Sequence, residues 1–320
     1  MFDFNIDTNI LKNKKIDYNK LYDVVIIGGG PGALNAGLYA KRNNLSVLII
    51  SETSGGQLLN TNIIDNYLGY FNISGEKLNN NFENHLDYFD VKRLYNVSVN
   101  KLNKENNLFI SELSNNQQIK SKTVILATGG NPRKLNIKGE KEFEGNGISY
   151  CVICDGAFYN NKDVLVVGGG NSALEAAIDL SNNAKSVHIL QNLNNFTAEK
   201  TLVDKVLNNK KITYTFNANI IEFTGENALN KVIYKENDQL KMKYVDGVFI
   251  QIGIIPNSKL VKDLVNLNKF NEVVTNNEQK TSLEGLYAIG DVTSFKYKQV
   301  IMAASQGAVA ALNINEYLNK

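Results

Sequence analysis

Residues 23–50 read DVVIIGGGPGALNAGLYAKRNNLSVLII. Four apolar residues in a row, Val24 to Ile27, suit a strand buried on both faces of a parallel sheet. A glycine cluster follows, then an alanine- and leucine-rich stretch of helical character, then a second apolar run from Val47 to Ile50. Together they make one strand–helix–strand unit. In its turn, Gly28-x-Gly30 followed by Ala33 is the small-residue form of a dinucleotide fingerprint. The first glycine permits the tight turn, the second lets backbone approach a pyrophosphate, and Ala33 keeps the helix close to the sheet. The helix N-terminus adds amide donors and a favourable dipole. Glu52, just past the second strand, is placed to accept hydrogen bonds from a ribose hydroxyl. A glycine turn without a ligand is the plain alternative; the flanking strand, helix and acid weigh against it.

The same pattern returns at residues 162–190, KDVLVVGGGNSALEAAIDLSNNAKSVHIL. Here the strand is Val164 to Val167, the glycines Gly168 to Gly170, the helix starts at about Ser172 and the next strand is Val187 to Leu190. One chain therefore carries two Rossmann-type beginnings. TVILATGG (123–130) is a strand running into a small-residue turn, and GVFIQIGIIPN (247–257) repeats that form. LYAIGDV (286–292) is another strand, and Val300 to Leu318 is an alanine-rich closing helix. Residues 1–20 are polar and asparagine-rich, an extension or loosely docked arm.

A chain of 320 residues with 43% hydrophobic content can bury the cores of two domains. A formal net charge of +2 leaves no nucleic-acid footprint. The N-terminal MFDFNIDTNILKNKK has no apolar core behind its charges and does not read as a secretory leader. No apolar run approaches a membrane span. Two cysteines do not make an extracellular disulfide framework, so a cytoplasmic location is expected.

Those two cysteines lie in YCVICDG, residues 150–156. A pair of small buried hydrophobes is one reading. Half of a zinc site is another, but it would need His85 and His188, the only histidines, which fall in separate segments. The third is a redox dithiol, because C-x-x-C spacing lets a disulfide open and close with little backbone change. Asp155, directly after Cys154, can then carry a proton to or from a leaving thiol.

Cys151-Val-Ile-Cys154-Asp155-Gly156 between two Rossmann units resembles the low-molecular-weight thioredoxin reductase family. GGPGA, SGGQL (54–58), the DNYLG stretch around Asn66, ATG (127–129), GGGNSA (168–173) and AIGDV (288–292) fall in family order from about Asp23 onwards. The resemblance implies an α/β fold of two Rossmann-like dinucleotide-binding domains, the second inserted into the first. The FAD domain would be 1–129 with 253–320, and the redox-disulfide domain 130–252. It implies FAD held at Gly28, Gly30, Pro31, Gly32, Ala33, Glu52, Gly56, Gln57, Leu58, Asn66, Thr128 and Gly129. Asp291 and Lys298-Gln299-Val300 would meet the ribityl chain and flavin ring. It assigns Cys154 to the flavin side, Cys151 to attack on the disulfide of a thioredoxin partner and Asp155 to acid–base work, in what is typically a homodimer. No metal is implied.

One segment departs from the family. Members that use NADPH read its 2′-phosphate with text resembling His-Arg-Arg-x-x-x-Arg, where this chain has Gln191-Asn192-Leu193-Asn194-Asn195-Phe196-Thr197. Asn192, Leu193 and Thr197 replace the arginines, and a phosphate dianion needs charged, preferably bidentate partners. Ala176 follows Glu175 where NADPH enzymes tend to carry a second glutamate. The chain is similar in this respect to the ferredoxin-dependent flavin thioredoxin reductases, which implies reduced ferredoxin as electron donor. Ferredoxins are generally acidic, making Lys296 and Lys298 candidates for a docking patch. An NADPH enzyme with a diverged pocket and a non-catalytic flavin redox sensor are the other readings.

Overall fold

A computed structural model describes residues 16–60 and 64–320, and every structural statement below concerns these. Most of the expected N-terminal arm lies outside them. The chain opens with β1 (Leu21–Ile27), α1 (Pro31–Arg42), β2 (Val47–Ser51), α2 (Gly75–Tyr88), β3 (Lys92–Tyr95), β4 (Val99–Glu105), β5 (Leu108–Leu113) and β6 (Gln118–Leu126). After β7 (Gly130–Pro132) come β8 (Ile148–Ser149), α3 (Val152–Asp155), β9 (Asp163–Val167), α4 (Asn171–Ser181), β10 (Ser186–Leu190), α5 (Lys200–Leu207) and β11 (Ile212–Thr215). Then follow β12 (Ala218–Gly225), β13 (Leu229–Glu236), β14 (Gln239–Tyr244), β15 (Gly247–Ile250) and β16 (Ile254–Pro256). The chain ends with β17 (Leu286–Ala288) and α6 (Val300–Leu318). Two compact units result, one of the chain up to Asn131 and from Ile255 on, the other Pro132–Ile254.

In the first unit the sheet order is β3-β2-β1-β6-β5-β4, with β17 also beside β6. β1 pairs in parallel with β2 and β6, so Ile27, Ile50 and Leu126 end in register at one edge, where Ala288 joins Leu126. Side chains alternate between faces along a strand. Val25, Ile27, Leu48 and Ile50 enter one core, while Val24, Ile26 and Ile49 enter the other under α1 and α6. That is why the apolar run is unbroken. α6 packs on α1 at backbone distance: a Cβ on Gly307 would stand 2.3 Å from the Gly32 carbonyl oxygen. Asn35 Nδ2 donates to the Ala304 carbonyl at 2.7 Å across the same contact.

The second unit has a parallel sheet, β11-β10-β9-β15-β8, and an antiparallel one, β12-β13-β14. Val167, Leu190 and Ile250 end in register, as in the first unit. α4 covers one face through Val164, Val166, Val187, Ile189 and Phe249. Phe223, Val232 and Tyr234 of the antiparallel strands cover the other.

His188 is buried in β10 between two threonines, with Nδ1 2.7 Å from Thr213 Oγ1 and Nε2 3.0 Å from Thr215 Oγ1. Burial first, then the positive charge of Lys243, holds the imidazole neutral and lowers its pKa from 6.5 to about 4. The unfolded chain takes up a proton below pH 6.5 that the fold refuses until about 4, so this contribution is complete above 6.5 and lost as pH falls. The expected loss is about 3 kcal/mol by pH 4. Urea unfolding at stepped pH should show this limb, and His188→Gln should flatten it. An unchanged slope in the variant would contradict the assignment.

Candidate functional site

The first glycine turn sits at the C-terminal edge of the parallel strands. Gly28 has φ +127°, and a Cβ there would lie 2.2 Å from the Ala127 carbonyl oxygen, so only glycine fits. Around a Cβ built on Gly30 there is nothing within 4 Å, which leaves its backbone open to approach. Gly30 caps α1 without a side-chain hydrogen bond, Pro31 follows, and the first turn has no acid. Amide donors and a positive dipole end there meet no internal anion. Gly32 and Ala33 are buried against α6 and the sheet.

The other expected cofactor residues lie in the same unit as this turn. Gly55 N–H donates to the Gly29 carbonyl at 2.7 Å, and a Cβ on Gly56 would be 3.4 Å from Gly30 Cα. Glu52 follows β2 and is exposed. Gln57 Nε2 donates to Asn131 Oδ1 at 2.8 Å, and Leu58 is buried in a small cluster that Val300 packs against. Thr128 Oγ1 donates to the Asn257 carbonyl at 2.8 Å while Asn257 N–H donates to the Gly129 carbonyl at 2.9 Å. Asn66 Nδ2 donates to Gln299 Oε1 at 3.0 Å, joining two segments more than two hundred residues apart. Asp291 lies in the turn after β17, and burial raises its carboxyl pKa above the ordinary value against the opposing pull of Lys298. Asn131 and Asn257 were not singled out by motif, although Asn257 closes the quoted GVFIQIGIIPN. Glu83, which accepts from Ser54 and Tyr95 and pairs with Arg93 at 3.0 Å, anchors the Ser54 turn without any local signal.

Lys298 does not serve as an exposed docking lysine. Its side chain is 15% exposed, pairs with Glu272 at 3.2 Å, and donates to the carbonyls of Asp291 and Thr293. Those bonds hold the segment entering α6 in place and leave the ammonium turned inward. Lys296 is exposed and lies 5.7 Å from the centre of the Tyr297 ring.

In the second unit Cys151 and Cys154 form a disulfide with Cα atoms 5.3 Å apart. Cys151 caps the four-residue α3, and its Sγ accepts the Cys154 N–H at 3.2 Å. Asp155 ends that turn. Burial raises its carboxyl pKa, opposed by a hydrogen bond from Ser149 Oγ to Oδ2 at 2.6 Å. Ser149, two residues before the motif, is a site residue that the sequence reading missed. Among the described residues no group of three or more His, Cys, Asp or Glu is placed to hold a metal, and no helix is long and apolar enough to cross a membrane.

The second glycine turn keeps the shape of the first. Gly168 has φ +124°, and Gly170 caps α4 without a side-chain bond. Its surroundings differ. Thr197 Oγ1 stands 3.8 Å from a Cβ built on Gly170, where Gly30 has open space. Gln191 is 4% exposed and lies against Gly169; its Nε2 donates to the Asn195 carbonyl at 3.2 Å and its Oε1 accepts the Asn192 N–H at 3.1 Å. The loop is closed by Thr197 N–H donating to the Gly169 carbonyl at 2.8 Å, and Leu193 is exposed on it. No cation lies between Gln191 and Thr197.

Comparison with known proteins agrees with this arrangement. The family model described as pyridine nucleotide-disulphide oxidoreductase matches residues 22–307. A protein named NADH dehydrogenase from Bacillus subtilis (strain 168) is 36% identical over 93% of this chain. An alkyl hydroperoxide reductase component of Staphylococcus aureus (strain MRSA252) is likewise 36% identical over 93%. The chain spans 58% and 59% of those two proteins. The structure of thioredoxin reductase from Streptococcus pyogenes MGAS5005 matches with TM-score 0.90 and 36% identity, over 94% of this chain and 99% of that one. A ferredoxin-flavin thioredoxin reductase from Clostridium acetobutylicum matches with TM-score 0.51 and 27% identity, over 93% and 98%. Proteins of this kind are FAD-binding flavoproteins. The open Gly30, the uncapped end of α1 and the half-buried Asp291 fit that cofactor. Two dinucleotide turns and a closed cysteine pair, matched over residues 22–307, make this chain a member of the pyridine nucleotide-disulphide oxidoreductase family.

Proposed function

We propose that the protein reduces the disulfide of a thioredoxin through FAD and the Cys151–Cys154 pair, with electrons from reduced ferredoxin. The observation that carries the first part is the disulfide itself, closed at the head of α3 with a half-buried carboxyl one residue beyond it. Bound FAD supplies chemistry that takes electrons singly and passes them on as a pair. The chain's residues do the rest. Gly28 to Ala33 and the end of α1 would hold the pyrophosphate, Glu52 a ribose, and Asp291 with Lys298 to Val300 the ribityl chain and ring. The Cys154 amide directed at Cys151 Sγ favours negative charge on that sulfur, which suits Cys151 as the attacking thiol. Cys154 would be the thiol on the cofactor side. In this reading the enzyme works in the cytoplasm as a homodimer.

The Gln191–Thr197 loop supports ferredoxin as the donor. A 2′-phosphate there finds no charged partner, and the Gln191 amide is already engaged within the loop. Binding at the backbone alone would forgo three charged contacts worth about 1.5–3 kcal/mol each. A pyridine nucleotide donor is the second reading. It is favoured by the retained shape of the Gly168 turn and by the higher similarity to the Streptococcus pyogenes enzyme.

Cys154→Ser should keep FAD and lose turnover of thioredoxin disulfide. Cys151→Ser should leave a thiolate at Cys154 that gives a long-wavelength charge-transfer band. Full activity in the first variant would remove the dithiol from the reaction, and the band appearing in the first rather than the second would reverse the two roles. For the donor, calorimetry should find NADPH binding at least about 100-fold tighter when Asn192, Leu193 and Thr197 are all replaced by arginine. Equal, tight binding by the unaltered protein would overturn the ferredoxin reading.

A further inference from the structure

Ser149 is the second residue of the two-residue β8, held in the sheet by β15 and 5% exposed. Its Oγ donates to Asp155 Oδ2 at 2.6 Å and accepts the Cys151 N–H at 3.0 Å. The Cys151 carbonyl oxygen lies 3.3 Å from the same hydroxyl as a second acceptor. A serine hydroxyl has one proton and two lone pairs. With Asp155 ionised, that proton is given to Oδ2. With Asp155 protonated the polarity reverses: the carboxyl O–H donates to Oγ, and the serine proton turns to the Cys151 carbonyl. Each state pairs these groups, and neither needs the backbone to move.

We propose that Ser149 is the positioning residue that ties the Asp155 carboxyl to Cys151 and lets it serve as base and then acid in dithiol exchange. The proposal rests on the disulfide-reductase reading above and assigns the residue that makes its proton transfer reversible. The Cys151 Sγ–H proton passes to Asp155 as Sγ bonds to one sulfur of the partner disulfide and that S–S bond breaks. The released thiolate takes the proton back from Asp155. Cys154 then attacks Cys151 Sγ, closing the Cys151–Cys154 disulfide, and its proton goes by the same carboxyl to the second released thiolate. Two electrons and two protons leave the dithiol, and both reach the partner.

Tyr159 on the next turn has its pKa raised by burial and by the charges of Asp155 and Asp246. Lys162 lies over the Tyr159 ring at 5.3 Å, and α4, which packs on α3, carries Glu175 and Asp179. Tyr150, before the motif, donates to Glu140 at 3.0 Å. Burial raises the Asp155 pKa, and the Ser149 bond is the opposing influence.

The test uses FAD-loaded protein whose disulfide has been reduced with dithiothreitol and freed of reagent. Its oxidation by 5,5′-dithiobis(2-nitrobenzoate) is followed as a function of pH. Ser149→Ala should react about tenfold more slowly at neutral pH. Its acid limb should move to higher pH, because the ionised carboxylate has lost its donor. Ser149→Thr, which keeps the hydroxyl, should restore both rate and limb, as a merely structural role would not require. Asp155→Asn should lose the limb and about 100-fold in rate. A wild-type profile in Ser149→Ala would sink the role of Ser149 while leaving that of Asp155. A wild-type rate in Asp155→Asn would instead sink the acid–base reading beneath it. If Ser149→Ala does not fold, Ser149→Gly carries the same comparison.

Discussion

Gly307 has no room for a side chain, and the site in the first unit depends on that. A Cβ there would sit 2.3 Å from the Gly32 carbonyl oxygen and 3.0 Å from Ala36 N, so α6 and α1 meet backbone to backbone. α1 carries the glycine turn at its N-terminus. The segment leading into α6 carries Asp291, Lys298 and Gln299, more than two hundred residues later in the chain. Close helix contact brings the two halves of an interrupted unit to one place, and the Lys298–Glu272 pair keeps the incoming segment from swinging away. An open glycine with uncapped amides and a carboxyl partly withdrawn from water are costly features for a fold to keep without a ligand.

The two strand–helix–strand units repeat the same geometry with different surroundings. Their first glycines differ by three degrees in φ, at +127° and +124°. Beside Gly29 stands Ser51, followed by the exposed Glu52; beside Gly169 stands the larger Gln191, its amide closed on its own loop. The first turn keeps free backbone and an acid. The second keeps the turn, with no cation from Gln191 to Thr197 and the Gln191 amide bonded within its own loop. Backbone shape follows from glycine placement and strand packing, whereas ligand recognition depends on a few side chains that can be lost without disturbing the fold.

That difference also explains what was legible in the sequence. Unbroken apolar runs announce strands buried on both faces, and β1, β2, β9 and β10 lie where those runs are. The alanine-rich pattern of Val300 to Leu318 is the helix α6 from end to end. The cysteine spacing was legible because it is local. Ser149 was not: it belongs to a strand of two residues, and its importance comes from a hydroxyl reaching six residues ahead. Lys298 looked like an exposed cation because its partner, Glu272, is distant in sequence. The antiparallel strands β13 and β14 carry lysines between their apolar residues, and no motif marks them.

The most direct test of the claim that the second unit has kept its turn and lost its ligand is anaerobic and visible. FAD-loaded protein is mixed in turn with NADPH, NADH and reduced ferredoxin while the flavin absorbance is followed. The account predicts no bleaching by either nucleotide and full bleaching by ferredoxin. Rapid bleaching by NADPH or NADH would contradict it, and would mean that the Gln191–Thr197 loop still holds a nucleotide by contacts other than charge.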